Sequence, residues 1–322
     1  MGKYLITGGA GFIGSHIVRS LVERGDRVRI LDNLSGGSME NLAGLDLGHI
    51  GGSSAVEFLR GDVTDPITCN EVCKGIDGLF HEAAEVSVPA SFAHPDRHLD
   101  VNVMGTVRIL EGARRAGVKR VIFAASSAAY GDSEESPKHE GLDPNPLSPY
   151  AAAKRTGEDL LSIWGRQYGI DTVSLRYFNV FGPRQSDTSP YSGVIAIFAK
   201  CLLSGNPITI HGDGEQTRDF VFVEDVARAN LCALDANVPS GRVINIGTGV
   251  KVSLNELYQT MAGLCGSDAK PDHGEARSGD VRSSCADISR AKQELGWRPQ
   301  VSLQDGLART IEWYREQPFG PG

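Results

Sequence analysis

The sequence has little of what metal centres, disulfide scaffolds and membrane segments require. Its six cysteines form no C-x-x-C pair, and its eight histidines show no zinc-ligand spacing. No apolar run approaches the roughly 18 residues of a membrane span, and the apolar stretch at the start is too short for a signal peptide. We therefore expect no metal site, no membrane segment and a cytoplasmic protein with free thiols.

Positive charge is also scarce, since 32 Lys and Arg stand against 40 Asp and Glu, a net charge of −8. A surface with this balance repels nucleic-acid backbones and anionic lipids, so neither is an expected partner. Hydrophobic residues make up 40% and charged residues 22% of the 322 residues. That composition is typical of a globular protein, and the length favours two lobes or one large α/β unit.

The first thirty residues have the pattern of a β-α-β unit. Residues 3–7 are typical of a short buried strand, residues 12–23 of a helix, and residues 27–31 of a second strand. The turn between the first two elements is Gly8-Gly9-Ala10-Gly11-Phe12-Ile13-Gly14, which matches G-x-G-x-x-G. An acidic residue, Asp32, follows about twenty residues later, as in dinucleotide-binding units.

This pattern predicts a binding site for NAD. Glycines allow a tight turn and close backbone approach, N–H groups at the helix start hold a pyrophosphate, and Asp32 accepts hydrogen bonds from the adenosine ribose. Asn33 and Leu34 follow Asp32, so a 2′-phosphate would meet a carboxylate without a compensating cation. NAD is therefore favoured over NADP, and the alternative is a glycine-rich turn without a ligand.

Further strands extend this unit into a sheet. Residues 56–59 and then Gly61-Asp62-Val63-Thr64 are typical of a third strand, with Asp62 either reaching the adenine amino group or capping the next helix. Residues 78–84 form a predicted fourth strand that passes beside the cofactor. Strands at 120–125 and 172–176 continue the alternation with helices, which predicts an α/β fold with a Rossmann-type, doubly wound parallel sheet.

Tyr150 and Lys154 lie four residues apart at the start of a predicted helix, so they face the same way. A lysine ammonium and the positive ring of an oxidised nicotinamide both favour the phenolate, which lowers the phenol pKa. Tyr150 is then a candidate base that takes a proton from a substrate hydroxyl as hydride leaves the carbon. Ser126, at a predicted strand end, is a short hydroxyl donor for the developing carbonyl oxygen or, alternatively, a turn residue.

A set of short motifs spans nearly the whole chain. Besides the glycine-rich turn, they are Gly61-Asp62-Val63-Thr64, Val101-Asn102-Val103-Met104-Gly105-Thr106, Ser126 to Gly131, Tyr150 to Lys154, Leu175-Arg176-Tyr177-Phe178-Asn179-Val180-Phe181-Gly182-Pro183 and Thr217-Arg218-Asp219-Phe220. Together they resemble the extended short-chain dehydrogenase/reductase family. The branch that the chain resembles most is the UDP-hexose 4-epimerases, especially those that accept UDP-N-acetylglucosamine.

The resemblance implies roles for single residues. Tyr150 is the base, Lys154 tunes it and binds the nicotinamide ribose, Ser126 hydrogen-bonds the C4 oxygen, and Asn102 supports the site. The residues implied in NAD binding are Gly8, Gly11, Phe12, Ile13, Gly14, Asp32, Asn33, Asp62, Val63, Ala83, Ala84 and Lys154. Those implied in UDP-sugar binding are Ser87, Ser127, Asn179, Val194, Arg218, Arg277, Asp280 and Ser284. The small side chain of Ser284 would leave room for an N-acetyl group at C2 without excluding glucose.

The residues after Ser126 separate the reactions within the family. Related 4,6-dehydratases and UDP-glucuronate decarboxylases carry a carboxylate there, whereas this chain has Ser127-Ala128-Ala129. We therefore expect 4-epimerisation of UDP-glucose, UDP-N-acetylglucosamine or both, through a transient 4-keto sugar. UDP-glucuronate 4-epimerisation, with Arg184 and Arg282 pairing a C6 carboxylate, stays open, as do a dehydratase or decarboxylase and a non-catalytic NAD-binding regulator.

Three further expectations concern organisation. Residues 1–176 are expected to form the NAD-binding domain, and residues 177–322 a smaller substrate lobe interleaved with it. The resemblance implies a homodimer formed through predicted helices at 96–116 and 150–168. Glu82, where related epimerases often have a neutral residue, either points into solvent or provides a different proton path.

Overall fold

The computed structural model describes residues 1–186, 193–276 and 281–317. Within these ranges no helix is long and apolar enough to cross a membrane. All six cysteines are free thiols, the state expected in a reducing compartment.

The elements alternate between strands and helices through the first half of the chain. The large sheet consists of β1 (Lys3–Thr7), β2 (Arg27–Asp32), β3 (Leu47–Gly48), β4 (Val56–Arg60), β5 (Gly78–His81), β6 (Arg120–Ser126), β7 (Asp171–Tyr177) and β12 (Arg242–Ile246). Three small pairs are β8 (Asn179–Phe181) with β11 (Phe220–Phe222), β9 (Thr209–His211) with β14 (Asp272–Gly274), and β10 (Thr217–Arg218) with β13 (Val252–Ser253). The helices are α1 (Phe12–Glu23), α2 (Pro66–Val72), α3 (Val88–Ala93), α4 (Pro95–Leu99), α5 (Gly105–Ala116), α6 (Pro149–Tyr168), α7 (Val194–Ser204), α8 (Val223–Asp235), α9 (Leu254–Cys265), α10 (Ser289–Glu294) and α11 (Leu303–Glu316).

The large sheet is parallel throughout, in the order β12-β7-β6-β5-β1-β2-β4-β3. In register, Ile6 of β1 lies between Ile30 of β2 and Phe80 of β5. The chain moves outward from β1 and then returns to the other side of β1, so the strand order reverses between β1 and β5. Ligands of open α/β sheets bind at the carboxyl ends of the strands at such a point. The predicted doubly wound sheet is confirmed.

Helices cover both faces of this sheet, which is why its strands are apolar on both sides. Ile6 of β1 belongs to the core layer that contains Ile17 of α1 and Val226 of α8. Leu5, its neighbour in the strand, belongs to the opposite layer, which contains Ile109 of α5. All five side chains are fully buried, and each contributes about 1.5–3 kcal/mol.

The second half of the chain returns to the large sheet. β12 pairs with β7 from Arg242 opposite Val173 to Ile246 opposite Tyr177, and α8 packs in the same layer as α1. Helices α7, α9 and α11 form a separate apolar cluster. The domain division at residue 176 stays a prediction.

The predicted helix at 96–116 is instead divided into three segments. A π-helical turn, Asp100–Met104, separates α4 from α5. This turn contains Asn102, whose side-chain Nδ2 donates to the Glu85 carbonyl and whose Oδ1 accepts the Glu85 N–H, both at 2.8 Å. Such turns are frequent at functional sites, and helical periodicity alone does not reveal them.

A buried ion pair joins α6 to β7. Arg176 donates from Nε and Nη2 to the two carboxylate oxygens of Glu158, at 2.7 Å each, and both residues are 2% exposed. The guanidinium also lies 4.5 Å from the centre of the Tyr130 ring. Since Tyr130 ends the 3-10 turn that begins at Ser127, the pair supports the segment that follows Ser126.

We expect Glu158→Gln to lower the free energy of unfolding by about 3–5 kcal/mol, because it leaves a buried guanidinium without its counter-charge. Urea denaturation followed by circular dichroism measures this change. The matched control is Glu71→Gln, which breaks an exposed pair with Lys74 and should cost less than about 1 kcal/mol. Equal effects of the two substitutions would contradict the prediction.

Candidate active site

The glycine-rich turn brings two backbone segments into close contact. Gly8 has a φ of +72°, and its carbonyl oxygen accepts the Gly11 N–H at 3.0 Å. A Cβ at Gly14 would lie 2.2 Å from that oxygen, so a side chain there would displace the turn. Helix α1 begins at Phe12 without a side-chain cap, which leaves the N–H groups of its first turn available to an anion.

This turn forms one wall of a cleft of about 740 Å³. The volume lies in the range of about 300–1,000 Å³ that is usual for ligand sites. Every residue predicted to bind NAD lines the cleft, namely Gly8, Gly11, Phe12, Ile13, Gly14, Asp32, Asn33, Asp62, Val63, Ala83, Ala84 and Lys154. Residues 35–37, Ser-Gly-Gly, line it as well. Sequence reasoning missed these residues, although Ser-Gly-Gly shortly after Asp32 is typical of a loop that allows close backbone approach.

Two carboxylates lie where strands of the large sheet end. Asp32 is the last residue of β2, and Asp62 follows shortly after the end of β4. Asp32 accepts the N–H groups of Ala10 at 2.9 Å and Leu34 at 2.8 Å, which ties the strand end to the glycine-rich turn. Asp62 accepts Asn33 Nδ2 at 2.7 Å and the Thr64 N–H at 2.9 Å. Although burial raises the pKa of Asp62, these bonds lower it overall. The alternative that Asp62 caps the next helix is wrong, since the cap of α2 is Asp65.

The strand predicted for residues 78–84 ends earlier, at His81. The Thr7 carbonyl accepts the Glu82 N–H at 3.1 Å, and the Thr7 hydroxyl accepts the Ala83 N–H at 3.2 Å. These bonds turn the chain across Gly8, where a Cβ would lie 2.8 Å from the Ala83 nitrogen. The glycine therefore lets the segment that contains Ala83 pass along the cleft.

The three predicted reacting groups line the same cleft. Ser126 ends β6, and Tyr150 and Lys154 lie in the first two turns of α6. The Ser126 hydroxyl is a hydrogen-bond partner of the Tyr150 phenol, and it also accepts the Ala128 N–H at 3.2 Å. Lys154 Nζ donates to the Ala124 carbonyl at 2.7 Å. A hydroxyl donor, a phenol and an ammonium thus meet beside the predicted dinucleotide site.

The electrostatics differ in one respect from the sequence-based expectation. Burial raises the pKa of Tyr150, and the bond to Ser126 opposes this rise. The predicted lowering of the phenol pKa is therefore wrong for the protein alone. The predicted sources of phenolate stabilisation, Lys154 and the positive nicotinamide ring, would both oppose this effect of burial.

The predicted UDP-sugar residues are distributed over several elements. Ser87 lines the cleft and caps α3, with its Oγ accepting the Ala90 N–H at 3.1 Å. Ser127 begins the 3-10 turn after β6, and Val194 begins α7. Neither of these two is among the residues that line the cleft.

Asn179 of β8, Arg218 of β10 and Ser284, in the segment before α10, lie outside the cleft wall. Asn179 pairs with Phe220 between β8 and β11, and Arg218 Nη1 donates to the Val281 carbonyl at 2.6 Å. The Ser284 N–H donates to the Thr217 carbonyl at 3.1 Å. These three predicted residues are therefore brought close together along the chain's second half. The remaining two, Arg277 and Asp280, lie outside the described residues.

Glu82 does not point into solvent. It lines the cleft, and its Oε1 accepts the Tyr177 hydroxyl at 2.9 Å. Tyr177 is bound in turn to Asn230 of α8, whose Nδ2 donates to the phenol oxygen at 2.8 Å. The sequence offered no signal for this chain of contacts, because its members are 95 and 53 residues apart.

The two arginines considered for a C6 carboxylate are in different surroundings. Arg184 lines the cleft, has a φ of +69°, and its Nη1 is buried without a hydrogen-bond partner. A positive φ in a residue other than glycine costs about 1–3 kcal/mol and is concentrated at functional sites. Arg282 instead pairs with Asp213 at 2.7 Å on the exposed surface.

A Rossmann sheet whose glycine-rich turn shares a cleft with a Ser, a Tyr and a Lys is typical of enzymes that bind a dinucleotide cofactor. The model of the NAD-dependent epimerase/dehydratase family matches residues 4–247. The chain belongs to this family, and NAD is the cofactor that gives the family its name. The predicted family and cofactor are confirmed.

Relatives match over nearly the full length. The UDP-glucose 4-epimerase of Mycolicibacterium smegmatis is 41% identical over 317 residues, 98% of this chain and 99% of that protein. The UDP-glucuronate 4-epimerase of Thermodesulfobacterium geofontis is 35% identical over 98% of this chain and 97% of that protein.

Solved structures agree with this placement. The UDP-glucose 4-epimerase of Thermotoga maritima with UDP-glucose superposes with a TM-score of 0.91 at 39% identity, over 98% of this chain and 99% of that one. The UDP-N-acetylglucosamine 4-epimerase of Methanobrevibacter ruminantium, in complex with UDP-N-acetylmuramic acid, gives a TM-score of 0.92 at 36% identity, with the same coverage.

We expect Gly14→Ala to weaken NAD binding about tenfold or more, because the added methyl group displaces the turn that receives the pyrophosphate. Titration calorimetry on the cofactor-free protein measures the affinity. Gly263→Ala in α9 is the matched control, since a Cβ there has no neighbour within 4 Å. Equal affinities of the Gly14→Ala variant and the wild type would exclude the turn as the pyrophosphate site.

Proposed function

We propose that the protein is an NAD-dependent UDP-hexose 4-epimerase that interconverts UDP-N-acetylglucosamine with UDP-N-acetylgalactosamine and also accepts UDP-glucose and UDP-galactose. The convergence of Ser126, Tyr150 and Lys154 in the cleft formed by the glycine-rich turn supports this proposal. None of the three residues directly after Ser126, Ser127-Ala128-Ala129, carries a carboxylate. Elimination or decarboxylation would need additional acid–base chemistry there.

The residues supply the proton chemistry of such a cycle. Tyr150, as base, takes the proton of the C4 hydroxyl, and Ser126, bound to the same phenol, donates to the developing C4 carbonyl oxygen. Lys154 supplies positive charge beside both groups. NAD, when bound, supplies the hydride acceptor and then the hydride donor. Because the sugar turns between the two half-reactions, the hydride would return to the opposite face of C4, and Tyr150 returns the proton to the C4 oxygen, with no net redox change.

A panel of UDP-sugars tests this function directly. The purified protein is incubated with UDP-glucose, UDP-N-acetylglucosamine and UDP-glucuronate, and the products are separated by chromatography. We expect the C4 epimer of the first two. The proposed function would be rejected if neither UDP-glucose nor UDP-N-acetylglucosamine were converted.

We expect Tyr150→Phe to lower kcat by about 10²–10⁴-fold, because the proton at C4 then has no acceptor. UDP binding, measured by calorimetry, should be unchanged. Tyr168→Phe at the exposed end of the same helix is the control, and its kcat should equal that of the wild type. An active Tyr150→Phe variant with normal UDP binding would show that another group is the base.

We expect Ser284→Tyr to lower kcat/KM for UDP-N-acetylglucosamine about tenfold or more relative to UDP-glucose, because a bulky ring would occupy the space of the N-acetyl group. Ser283→Tyr is the control, since the Ser283 Oγ is directed to the Thr217 hydroxyl at 3.0 Å. Equal losses for both substrates in the Ser284→Tyr variant would contradict the assignment of Ser284 to the C2 pocket.

A second candidate function is UDP-glucuronate 4-epimerisation. Arg184 favours it, because a buried guanidinium N–H without a partner in the cleft suits a carboxylate. Arg282 does not favour this function, because its guanidinium already forms an ion pair with Asp213. The third substrate of the panel distinguishes this function from the first.

We also propose a homodimer formed through the region of α3 to α6. Helices α3 to α6 pack on one another, and large apolar side chains in this region are exposed: Val88, Phe92, Leu99, Met104, Ile163 and Tyr168. Exposed apolar side chains on helices that pack together are typical of protein interfaces.

A further inference from the structure

Lys154 is a buried cation with few contacts. It is 4% exposed, its Nζ donates to the Ala124 carbonyl at 2.7 Å, and it lies 5.1 Å from the centre of the Phe123 ring. Neither contact carries a negative charge. Since burying an ammonium without a counter-charge is costly, a nearby carboxylate must offset it for the lysine to stay protonated.

Five carboxylates line the cleft within the described ranges, and four of them are already engaged. Asp32 and Asp62 accept N–H groups from neighbouring backbone and side chains. Glu85 and Asp100 pair with arginines, at 2.6 Å and 2.9 Å. Glu82, the fifth, has a neutral phenol as its hydrogen-bond partner.

The hydrogen bonds around Glu82 hold it as an acceptor. Asn230 Nδ2 donates both to the Val226 carbonyl, at 3.0 Å, and to the Tyr177 oxygen, at 2.8 Å. The Tyr177 hydroxyl has two acceptors, Glu82 Oε1 at 2.9 Å and Asn230 Oδ1 at 3.1 Å, and Glu82 is the closer one. A donor of this kind favours the carboxylate over the neutral acid.

The histidine and tyrosine side chains around Glu82 and Lys154 are neutral. The Thr106 hydroxyl donates to the Asn102 carbonyl at 2.7 Å, so it accepts from His81 Nε2, and His81 Nδ1 accepts from the Thr7 hydroxyl. Burial, and after it Lys154, lowers the pKa of His81 to about 3.

His98, whose ring lies 5.9 Å from that of Tyr150, also has a pKa lowered by burial, with Glu85 opposing. Burial raises the pKa of Tyr150, and it raises that of Tyr177 well above 10. Glu82 and Lys154 are therefore the two opposite charges of this cluster that lack a direct ionic partner.

We propose that Glu82 is a positioning residue of the epimerisation, whose carboxylate is the counter-charge that keeps Lys154 protonated beside Tyr150. This inference rests on the proposed function. Glu82 follows His81, which pairs with Phe123 of β6, and the next residue of β6, Ala124, accepts Lys154 Nζ on its carbonyl at 2.7 Å. The two side chains therefore line the same part of the cleft without a direct bond. The pKa of Lys154 is lowered by burial, and Glu82 opposes this change. The pKa of Glu82 is raised by burial, and both Tyr177 and Lys154 oppose that rise.

The sign of the pH dependence follows from this relation. Without the carboxylate, burial acts on Lys154 unopposed, so the ammonium loses its proton at a lower pH. Activity that requires the ammonium then declines at a lower pH, and the alkaline limb of the kcat profile moves towards acid.

Glu82→Gln tests the proposal, because the amide still accepts the Tyr177 hydroxyl but carries no charge. The Lys154 titration is followed by NMR of isotope-labelled lysine ε-carbons in the NAD-loaded protein, with a Lys154→Met spectrum for assignment. We expect the Lys154 pKa and the alkaline limb of kcat to fall by about 1–3 pH units, the effect of one nearby opposite charge. Glu82→Asp, which keeps the charge, should restore both towards wild type.

Glu85→Gln is the matched control, because it removes another cleft carboxylate, one that pairs with Arg97, and should leave the Lys154 titration unchanged. An unchanged Lys154 titration and kcat profile in Glu82→Gln would overturn the proposal. So would an equal loss of activity in Glu82→Gln and Glu82→Asp without any pH shift, which indicates a structural role. A shifted Lys154 titration in a protein whose wild type converts no UDP-sugar would reject the proposed function and still support the charge pairing.

Discussion

The reversal of strand order between β1 and β5 creates the crevice on which the rest of the molecule depends. Backbone must approach backbone there, since the segment after β5 crosses Gly8 and the start of α1 lies against the Gly8 carbonyl. Two positions, Gly8 and Gly14, therefore tolerate no side chain. The N–H groups of α1, the carboxylate of Asp32 and the small residues Ala83 and Ala84 all reach one cleft because of this contact.

Buried charge is handled in two ways in this protein. Glu158 and Arg176 form a direct bidentate pair that joins α6 to β7 and is fixed by geometry. Glu82 and Lys154 line the same cleft without a direct bond, and each keeps a neutral hydrogen-bond partner. The first arrangement stabilises the fold, whereas the second leaves both charges able to interact with a molecule bound in the cleft. Charges that must act on a bound molecule cannot be fully satisfied by each other.

Another buried carboxylate, Asp219, joins the segments that carry two of the predicted UDP-sugar residues. It accepts the N–H groups of Thr248 at 2.7 Å, Gly249 at 2.9 Å and Ala286 at 3.0 Å. These bonds hold together three segments that are far apart in the chain. Arg218 precedes Asp219, and Ser284 lies two residues before Ala286. Arg218 and Ser284, two of the residues predicted to bind the UDP-sugar, thus lie in segments that are held by one acceptor.

Local sequence determined the elements and the identity of the cofactor site. Apolar periodicity located β1, α1 and β2 within a residue, because strand and helix periods depend on near neighbours. The glycine spacing and Asp32 predicted the dinucleotide site because the glycines and this carboxylate lie in one β-α-β unit. The Tyr150 and Lys154 pair was predictable for the same reason, since four residues are one helical turn.

Only the tertiary structure decided how distant residues share charge and space. It ended β5 at His81, after which the Thr7 carbonyl accepts the Glu82 N–H and the Thr7 hydroxyl, 76 residues away, accepts the Ala83 N–H. It reversed the expected direction of the Tyr150 pKa, because burial depends on the whole fold. It joined Glu82 to Tyr177 and Asn230 and left Arg282 on the surface with Asp213. Long-range contacts leave no period in the sequence, so burial and pairing at this site emerge only once the chain is folded.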